Sequence, residues 1–495
     1  MYRFFEILPG ALVWVTLIGM VLASAYAPAS AAIFIILFDT YWLLRTATLS
    51  LYLTFTFRRM RENTKVNWLD KVKEIKGWER VYHLMLLPMY KEPYEVVRET
   101  FDSLVKENYP KEKMIVVLGP EARAGEEALG IAERIKKEYG SKFRNFLVTQ
   151  HPFGLEGEIP GKGSNQAWMA KAAKREVIDK DKLDYENILV SVFDVDTQVY
   201  PEYFGRLTHA FLTTEDNQHT SYQPIPLFNN NIFEAPVFAR VVSLSATFYQ
   251  MMQQARPENL ATFSSHSMPF KALVEIGFWH KNVVSEDSRI FWQCYIHYNS
   301  NWKVEPLAYP VSMDANAAPS FWQTMKNVYK QQRRWAWGSE NIAYVITNFI
   351  GNKKIKLRKK LYWTFYKLDS FYSWATASVL IFALGWLPLI LGGSEFNQTV
   401  LSYSLPQITQ NIMGIASLGI LLSAILGVIL LPPKPEWFRP RHYILYLLQW
   451  ILLPATMILL GSVPAIEAQT RLMLGGKFRL GYWVTPKTRL GREKE

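Results

Sequence analysis

Two long apolar runs open the chain. Pro9 to Pro28 is almost uncharged, and Ala31 to Phe57 follows after the uncharged link Tyr26 to Ser30. A bilayer is crossed by about 20 predominantly apolar residues, so each run reads as a membrane span rather than a cleaved leader. From Val81 the pattern changes to short β-branched runs separated by amphipathic ones. Val81 to Leu87, Met114 to Leu118, Phe146 to Thr149 and the run from Asn187 to Phe193 read as strands. Tyr94 to Glu107 puts Val97, Phe101, Leu104 and Val105 on one face and reads as a helix, as do Gly125 to Tyr139 and Ser164 to Lys174. Strands alternating with helices imply an α/β domain with a mainly parallel sheet and helices on both faces. After Pro226 the pattern loosens. Val237 to Gln254 and Glu286 to His297 predict helices, Trp302 to Val311 a strand, and Phe321 to Ile350 one long, partly amphipathic helix. Phe371 to Leu391 and Asn411 to Leu431 are further spans. Tyr443 to Val463 is apolar but contains Pro454 and ends at Pro464. A Pro-broken re-entrant or interfacial segment is the expectation there, with a full span as the alternative.

Charge orients these segments. Lys and Arg number 55 against 43 Asp and Glu, a net charge of +12. The basic residues cluster beside apolar runs, which suits anionic lipid headgroups and not nucleic acid. Basic clusters at Arg58 to Arg80, Asn352 to Lys360 and Lys434 to Arg441, and the tail from Arg471, mark the cytoplasmic side, whereas Gly392 to Gln410 has no Lys or Arg. The expected organisation is two transmembrane helices (1–57), a basic cytoplasmic linker (58–80), a cytosolic α/β domain (81–350), transmembrane or interfacial helices (351–470) and a basic cytoplasmic tail (471–495). An integral protein of the plasma or cytoplasmic membrane follows, with the α/β domain and both termini cytoplasmic. Asp39 and Arg45 inside the second span should face protein or the interface. Cys294 is the single cysteine, which excludes an internal disulfide framework and a cysteine-based zinc site. So large an insertion between the spans argues against a transporter or channel.

Candidate chemistry gathers at the ends of the predicted strands. The strand from Asn187 ends in Asp194 and Asp196, where ligands bind in open α/β sheets. Two carboxylates spaced i, i+2 can share a hard divalent cation bridging a diphosphate, though an Asp-rich turn has the same letters. Tyr90 and Glu92 follow the first strand and could grip a base and ribose. Gly161-Lys162-Gly163-Ser164-Asn165 opens a helix, and Lys162 there suits a phosphate, although P-loop spacing is absent. Glu286 and Asp287 begin another helix, where a carboxylate either favours the helix dipole or acts as a general base. Gln331, Arg334 and Trp335 share one turn and suit a diphosphate and a sugar face, or a membrane surface. Thr485 and Lys487 lie in a C-terminal stretch, Tyr482 to Lys487, that could close over a diphosphate.

Taken in order, Pro-x-Tyr-x-Glu, Lys-Gly-x-Asn, Asp-x-Asp, Glu-Asp and Gln-x-x-Arg-Trp resemble the family 2 inverting glycosyltransferases. The flanking spans resemble the membrane-embedded branch that includes cellulose, chitin and hyaluronan synthases. Tyr482 to Lys487 is similar to the Phe-x-Val-Thr-x-Lys gating loop of cellulose synthases, with Tyr for Phe. The resemblance implies a GT-A-like nucleotide-sugar-binding domain and a metal-dependent hexosyltransferase. Asp196 would coordinate Mg²⁺ or Mn²⁺, with Asp194 near the ribose side or the metal. Asp287 would be the base beside Glu286, and Arg334 and Trp335, assisted by Gln331, would hold the diphosphate and acceptor end. The implied partners are a nucleotide sugar, first of all a UDP-sugar, a growing polysaccharide and membrane lipids. A single transfer to a glycolipid or polyprenyl phosphate is the alternative. A non-catalytic subunit on a degenerate transferase scaffold would need broken carboxylate motifs, and these are intact. Two departures stand out. Val117-Leu118-Gly119-Pro120-Glu121 replaces the Asp-Asp-Gly-Ser stretch after the second strand, so either Glu121 substitutes or the base is held differently. Phe263-Ser264-Ser265-His266-Ser267 replaces the usual acceptor-loop glycines, and His266 reads as a packed loop residue or as a ligand of an acceptor hydroxyl.

Overall fold

The computed structural model describes residues 1–489; residues 490–495, the end of the expected basic tail, lie outside it. Contacts divide the chain into two units. One comprises Met1–Thr54, Val328–Gly351 and Lys356–Leu480, the other Phe55–Asn327, Asn352–Ile355 and the tail from Gly481.

The second unit is α/β. Its strands are β1 (Tyr82–Met89), β2 (Met114–Pro120), β3 (Asn145–Val148), β4 (Ile188–Val192), β5 (Gln198–Val199), β6 (Thr220–Phe228), β7 (Ser267–Pro269) and β8 (Lys303–Met313). They form one sheet in the order β3-β2-β1-β4-β7-β6-β8-β5. The β1–β2, β1–β4, β2–β3 and β6–β8 pairings are parallel, while β7 runs antiparallel to β4 and β6, and β5 to β8. The mainly parallel sheet expected from the sequence is therefore present, with an antiparallel insertion. β2 and β4 are buried along their whole length. Strands covered on both faces need this continuous apolar character, because helices pack above and below them. The Tyr94–Lys106 helix buries Val97, Phe101 and Leu104, and Phe101 lies 5.3 Å from Phe146 of β3 between ring centroids.

β6 and the Tyr203–Thr213 helix were not expected. β6 is completely buried, yet it contains Pro224 and Pro226, and proline cannot donate to a ladder. A register shift between Gln223 and Ile225 takes up the irregularity. Buried glutamines restore the missing bonds. Gln254 Nε2 donates to the Gln223 carbonyl at 2.9 Å, Gln254 Oε1 accepts from Ala308 N at 3.0 Å, and Gln223 Oε1 accepts from Phe263 N at 2.8 Å. The expected single helix over 321–350 is interrupted: Phe321–Ala336 and Glu340–Gly351 flank a 3-10 turn at Trp337–Ser339. Gly338, a poor helix former, lies within that turn.

In the first unit, Tyr2–Tyr26, Val400–Ile429 and Pro440–Leu474 are long and apolar enough to cross a membrane, as is Pro28–Asn63, which runs across the division. A bent pair, Leu357–Phe382 with Leu384–Leu391, makes a fifth if counted as one span, and its bend is 49°. The sequence favoured a break at Pro454 instead. Pro440–Leu474 passes the same test as one run, with 3-10 and π turns taking up the proline irregularities. The Tyr2–Tyr26 helix packs on its far end, where Arg3 donates to the Leu472 carbonyl at 2.7 Å and Trp14 Nε1 to Thr470 Oγ1 at 2.9 Å. Arg45 faces protein as expected, 3.1 Å from Asp369, and Asp39 is buried.

Candidate active site

The carboxyl end of β4 starts the site. Asp194 O accepts from Thr197 N at 2.8 Å, so the chain turns directly after Phe193. The turn aims the two aspartates at different partners. Asp194 Oδ1 meets Lys162 Nζ at 2.7 Å and its Oδ2 accepts from the Ser264 hydroxyl at 2.9 Å. Lys162 also holds Asp287, at 2.8 and 3.1 Å to its two oxygens. One lysine thus ties the end of β4 to the start of the Glu286–His297 helix. Burial works to lower the Lys162 pKa, but Asp194, Asp287 and Glu286 outweigh it and hold it well above the ordinary lysine value. Burial likewise works to raise the Asp194 pKa, and Lys162 and Lys487 reverse it to a value below the usual range.

Asp196 is 1 % exposed and looks the other way. Its Oδ2 accepts from Lys487 Nζ at 2.5 Å and from Asp314 N at 3.0 Å. Arg489 extends this network to Asp314 at 2.5 Å and to Glu99 at 2.7 Å. Asn230 Nδ2 donates both to the Asp196 carbonyl at 3.0 Å and to Asp314 Oδ1 at 3.2 Å. The Thr485 side chain is buried on the same segment as Lys487. The tail stretch enters past Gly161, whose φ is +153°; a Cβ there would sit 2.5 Å from the Tyr482 ring. A side chain at 161 would push the tail away.

No group of three His, Cys, Asp or Glu among the described residues could hold a metal by itself. The donor set nevertheless fits one, because Asp196 Oδ1 is buried without a hydrogen-bond partner. Mg²⁺ is commonly held by one or two carboxylates together with ligand phosphates.

His266 is fully buried. Its Nδ1 donates to the Phe263 carbonyl at 3.0 Å and lies 3.9 Å from Asp287 Oδ1. Burial pushes its pKa down, and Asp287 only partly offsets that. The neutral ring is a packed loop residue that touches the candidate base. Thr262 Oγ1 donates to the Asp287 carbonyl at 2.6 Å and fixes the same loop. Glu286 is 2 % exposed and turned inward.

Gly119 explains the missing aspartate. A Cβ at 119 would lie 2.2 Å from Met169 Sδ and 2.9 Å from Asn165 Oδ1. The Lys162–Ala173 helix presses so closely on β2 that Asn165 Nδ2 donates to the Gly119 carbonyl at 2.7 Å. The next carboxylate is Glu121, buried and bound through both oxygens to Arg123 at 2.6 and 3.2 Å. The Arg123 guanidinium lies 4.6 Å from the Tyr90 ring centroid. A cleft beside this group is lined by Glu121, Arg123, His151, Phe153 and Glu158. Glu92 does not reach into it. Its carboxylate accepts from Tyr90 N at 2.7 Å, and burial pushes its pKa up to about 7.

Gln331, Arg334 and Trp335 are carried by the Phe321–Ala336 helix at i, i+3 and i+4, one face of a helix. Arg333, between them, pairs with Glu467 at 2.6 Å, and Tyr329 donates to the same carboxylate at 2.6 Å.

Sequence reasoning missed Ser264, Asn230, Asp314, Glu99 and Arg489. Asp314 had a signal, since β8 ends in an aspartate just as β4 does. Arg489 stands two residues past Lys487, which alone marked nothing.

No family model matches the chain, and no curated protein matches it. Among solved structures it is similar to the mannosyltransferase PcManGT from Pyrobaculum calidifontis in complex with GDP-Man and Mn2+. The identity is 14%, over 80% of this chain and 99% of that one, with a TM-score of 0.41. It is similar also to S. aureus TarS 1-349 in complex with UDP-GlcNAc, at 12% identity over 81% of this chain and 93% of that one, with a TM-score of 0.37.

Proposed function

We propose that the chain is a membrane-bound inverting glycosyltransferase with a GT-A-like domain. It transfers a sugar from a nucleoside diphosphate sugar to a growing polysaccharide. The observation that carries this reading is Lys162 bridging Asp194 and Asp287 at 2.7 and 2.8 Å beside the Asp196–Lys487 pair. These residues come from four separate stretches of sequence, and each belongs to a motif of the resemblance.

Asp287 accepts the proton of the acceptor hydroxyl as its oxygen bonds to the anomeric carbon. The bond from that carbon to the diphosphate breaks, and the electron pair leaves with the diphosphate. Lys162 holds the Asp287 carboxylate in place. Asp196, with Asp194 beside it, would hold Mg²⁺ or Mn²⁺, which supplies Lewis-acid stabilisation of the leaving group. Lys487 and Thr485 add a cation and a hydroxyl for the diphosphate. Tyr90, backed by Arg123, offers a face for the base, and Glu121 an acceptor for its N–H groups. The roles that the resemblance assigns to Gln331, Arg334 and Trp335 belong to the same proposal, as does a cytoplasmic position for the catalytic domain and both termini.

The test is incubation of membranes containing the protein with a panel of labelled nucleotide sugars, followed by sizing of the product. Label in a high polymer is expected. Label in an extractable lipid selects the single-transfer alternative, and no transfer from any donor overturns the reading. Asp287→Asn should lower transfer by about 10²–10⁴-fold while nucleotide binding persists; normal turnover removes the base assignment.

A further inference from the structure

A second cleft opens away from the carboxylates just described. Its cavity volume is ≈ 440 Å³, and it is lined by Arg59, Trp68, Arg206, Lys303, Glu215 and Glu305, among others. Arg206 forms its inner wall. It is 7 % exposed, its Nε donates to the Leu307 carbonyl at 3.0 Å, and its guanidinium lies 4.6 Å from the Trp68 ring centroid. Trp68 is itself fixed, donating from Nε1 to the Asn63 carbonyl at 2.8 Å and meeting His209 edge-on at 5.0 Å. Asn63 Nδ2 in turn donates to the Ala308 carbonyl at 3.0 Å. The wall is therefore built, not a chance grouping of surface side chains.

No close ion pair ties up its cations. Among the described residues, none of Arg59, Arg206 and Lys303 has a carboxylate within ion-pair distance. Burial, and after it the nearby Arg59, pulls the Arg206 pKa down to about 10, and Glu305 only partly opposes them. A buried guanidinium beside another cation is unfavourable until an anion enters between them. Arginine forks suit phosphate oxygens, and the aromatic wall orients the fork.

Position narrows the class of anion. Arg59 lies on the Pro28–Asn63 helix, two residues past the apolar run that ends at Phe57. A cationic cleft there meets the headgroup layer, where anionic lipids concentrate. We propose that the cleft formed by Arg59, Arg206 and Lys303 binds the phosphate of an anionic phospholipid headgroup. Glu215 and Glu305, on the same rim, accept from headgroup hydroxyls. This goes beyond glycosyl transfer and uses none of its residues.

The test uses the full chain in a neutral detergent. Dioctanoyl phosphatidylglycerol, dioctanoyl phosphatidylcholine and inorganic phosphate are titrated separately, with bound adducts read by native mass spectrometry and stabilisation by thermal unfolding. Phosphatidylglycerol should bind and raise Tm. Arg59→Gln and Lys303→Gln, both at the rim and tolerant of folding, should each weaken it by about tenfold. Equal binding of phosphatidylcholine, or phosphatidylglycerol binding untouched by both variants, overturns the site. Inorganic phosphate binding as tightly as phosphatidylglycerol, and lost in the same variants, overturns the lipid as ligand. The readout is binding, so it stands apart from any failure of the transferase assay.

Discussion

Gly119 and Glu121 decide where a carboxylate can stand beside β2. The approach of Met169 leaves no room for a side chain at 119, so the first carboxylate after β2 comes two residues later. Overpacking of this kind typically costs about 1–3 kcal/mol. Gly119→Ala should lower the thermal midpoint accordingly. Shortening the neighbour should relieve it: in a double-mutant cycle with Met169→Ala, the loss from Gly119→Ala should shrink by at least ~1 kcal/mol. Additive losses would mean that the close approach at Met169 is not the constraint. At the same scale, Asp194 and Asp196 look alike in sequence and differ in the fold. One is tied to Lys162 and Ser264, the other to Lys487 and the Asp314 amide.

The element that most changes the picture is the tail stretch from Gly481 to Arg489. Three consecutive residues anchor it: Lys487 to Asp196, Thr488 Oγ1 to the Ala317 carbonyl at 2.7 Å, and Arg489 to Asp314 and Glu99. Burial works to lower the Arg489 pKa, but Asp314 and Glu99 outweigh it and hold the guanidinium above its usual range. A segment without helix or strand is anchored here by ion pairs and side-chain hydrogen bonds. Its protection against proteolysis should therefore depend on them. Arg489→Gln should speed tryptic cleavage after Lys487 several-fold, read by mass spectrometry of the released C-terminal peptide. An unchanged cleavage rate would show that the pairs to Asp314 and Glu99 do not hold the tail.

Across the whole molecule, buried titratable groups set a pH dependence of stability. His83 is fully buried, its Nε2 shares a 2.8 Å hydrogen bond with Thr208, and burial pulls its pKa to about 3. Between about 6.5, the unfolded value, and about 3, the unfolded chain carries this proton and the folded one does not. The histidine's contribution is thus complete above pH 6.5 and is lost as pH falls through that window, by about 1.4 kcal/mol per unit. Glu107 acts in the opposite sense. Burial raises its pKa to about 8, so stability falls as pH rises from 4.5 towards 8. The difference between the parent chain and His83→Gln isolates the histidine. From pH 7 to pH 5 the parent should lose more stability than the variant; parallel curves would remove His83 from the account.

Local pattern determined the elements whose signal is periodic. The β1, β2 and β4 runs, the Val237–Gln254 and Glu286–His297 helices and the lengths of the helices apolar enough to cross a membrane were all legible, because burial on both faces, burial on one face and a long apolar run each leave their own spacing. The motif order was legible too, and with it Lys162, Asp194, Asp196, Asp287 and Lys487 as candidates. What only tertiary structure decided is who meets whom. β6 defied its prolines because Gln223 and Gln254, distant in sequence, replace the ladder bonds. Asp314, Asn230 and Arg489 joined Asp196 through packing between segments, which leaves no local signature. The empty position at 119 followed from a helix pressed against β2, a contact between Gly119 and Met169 that neither residue announces alone.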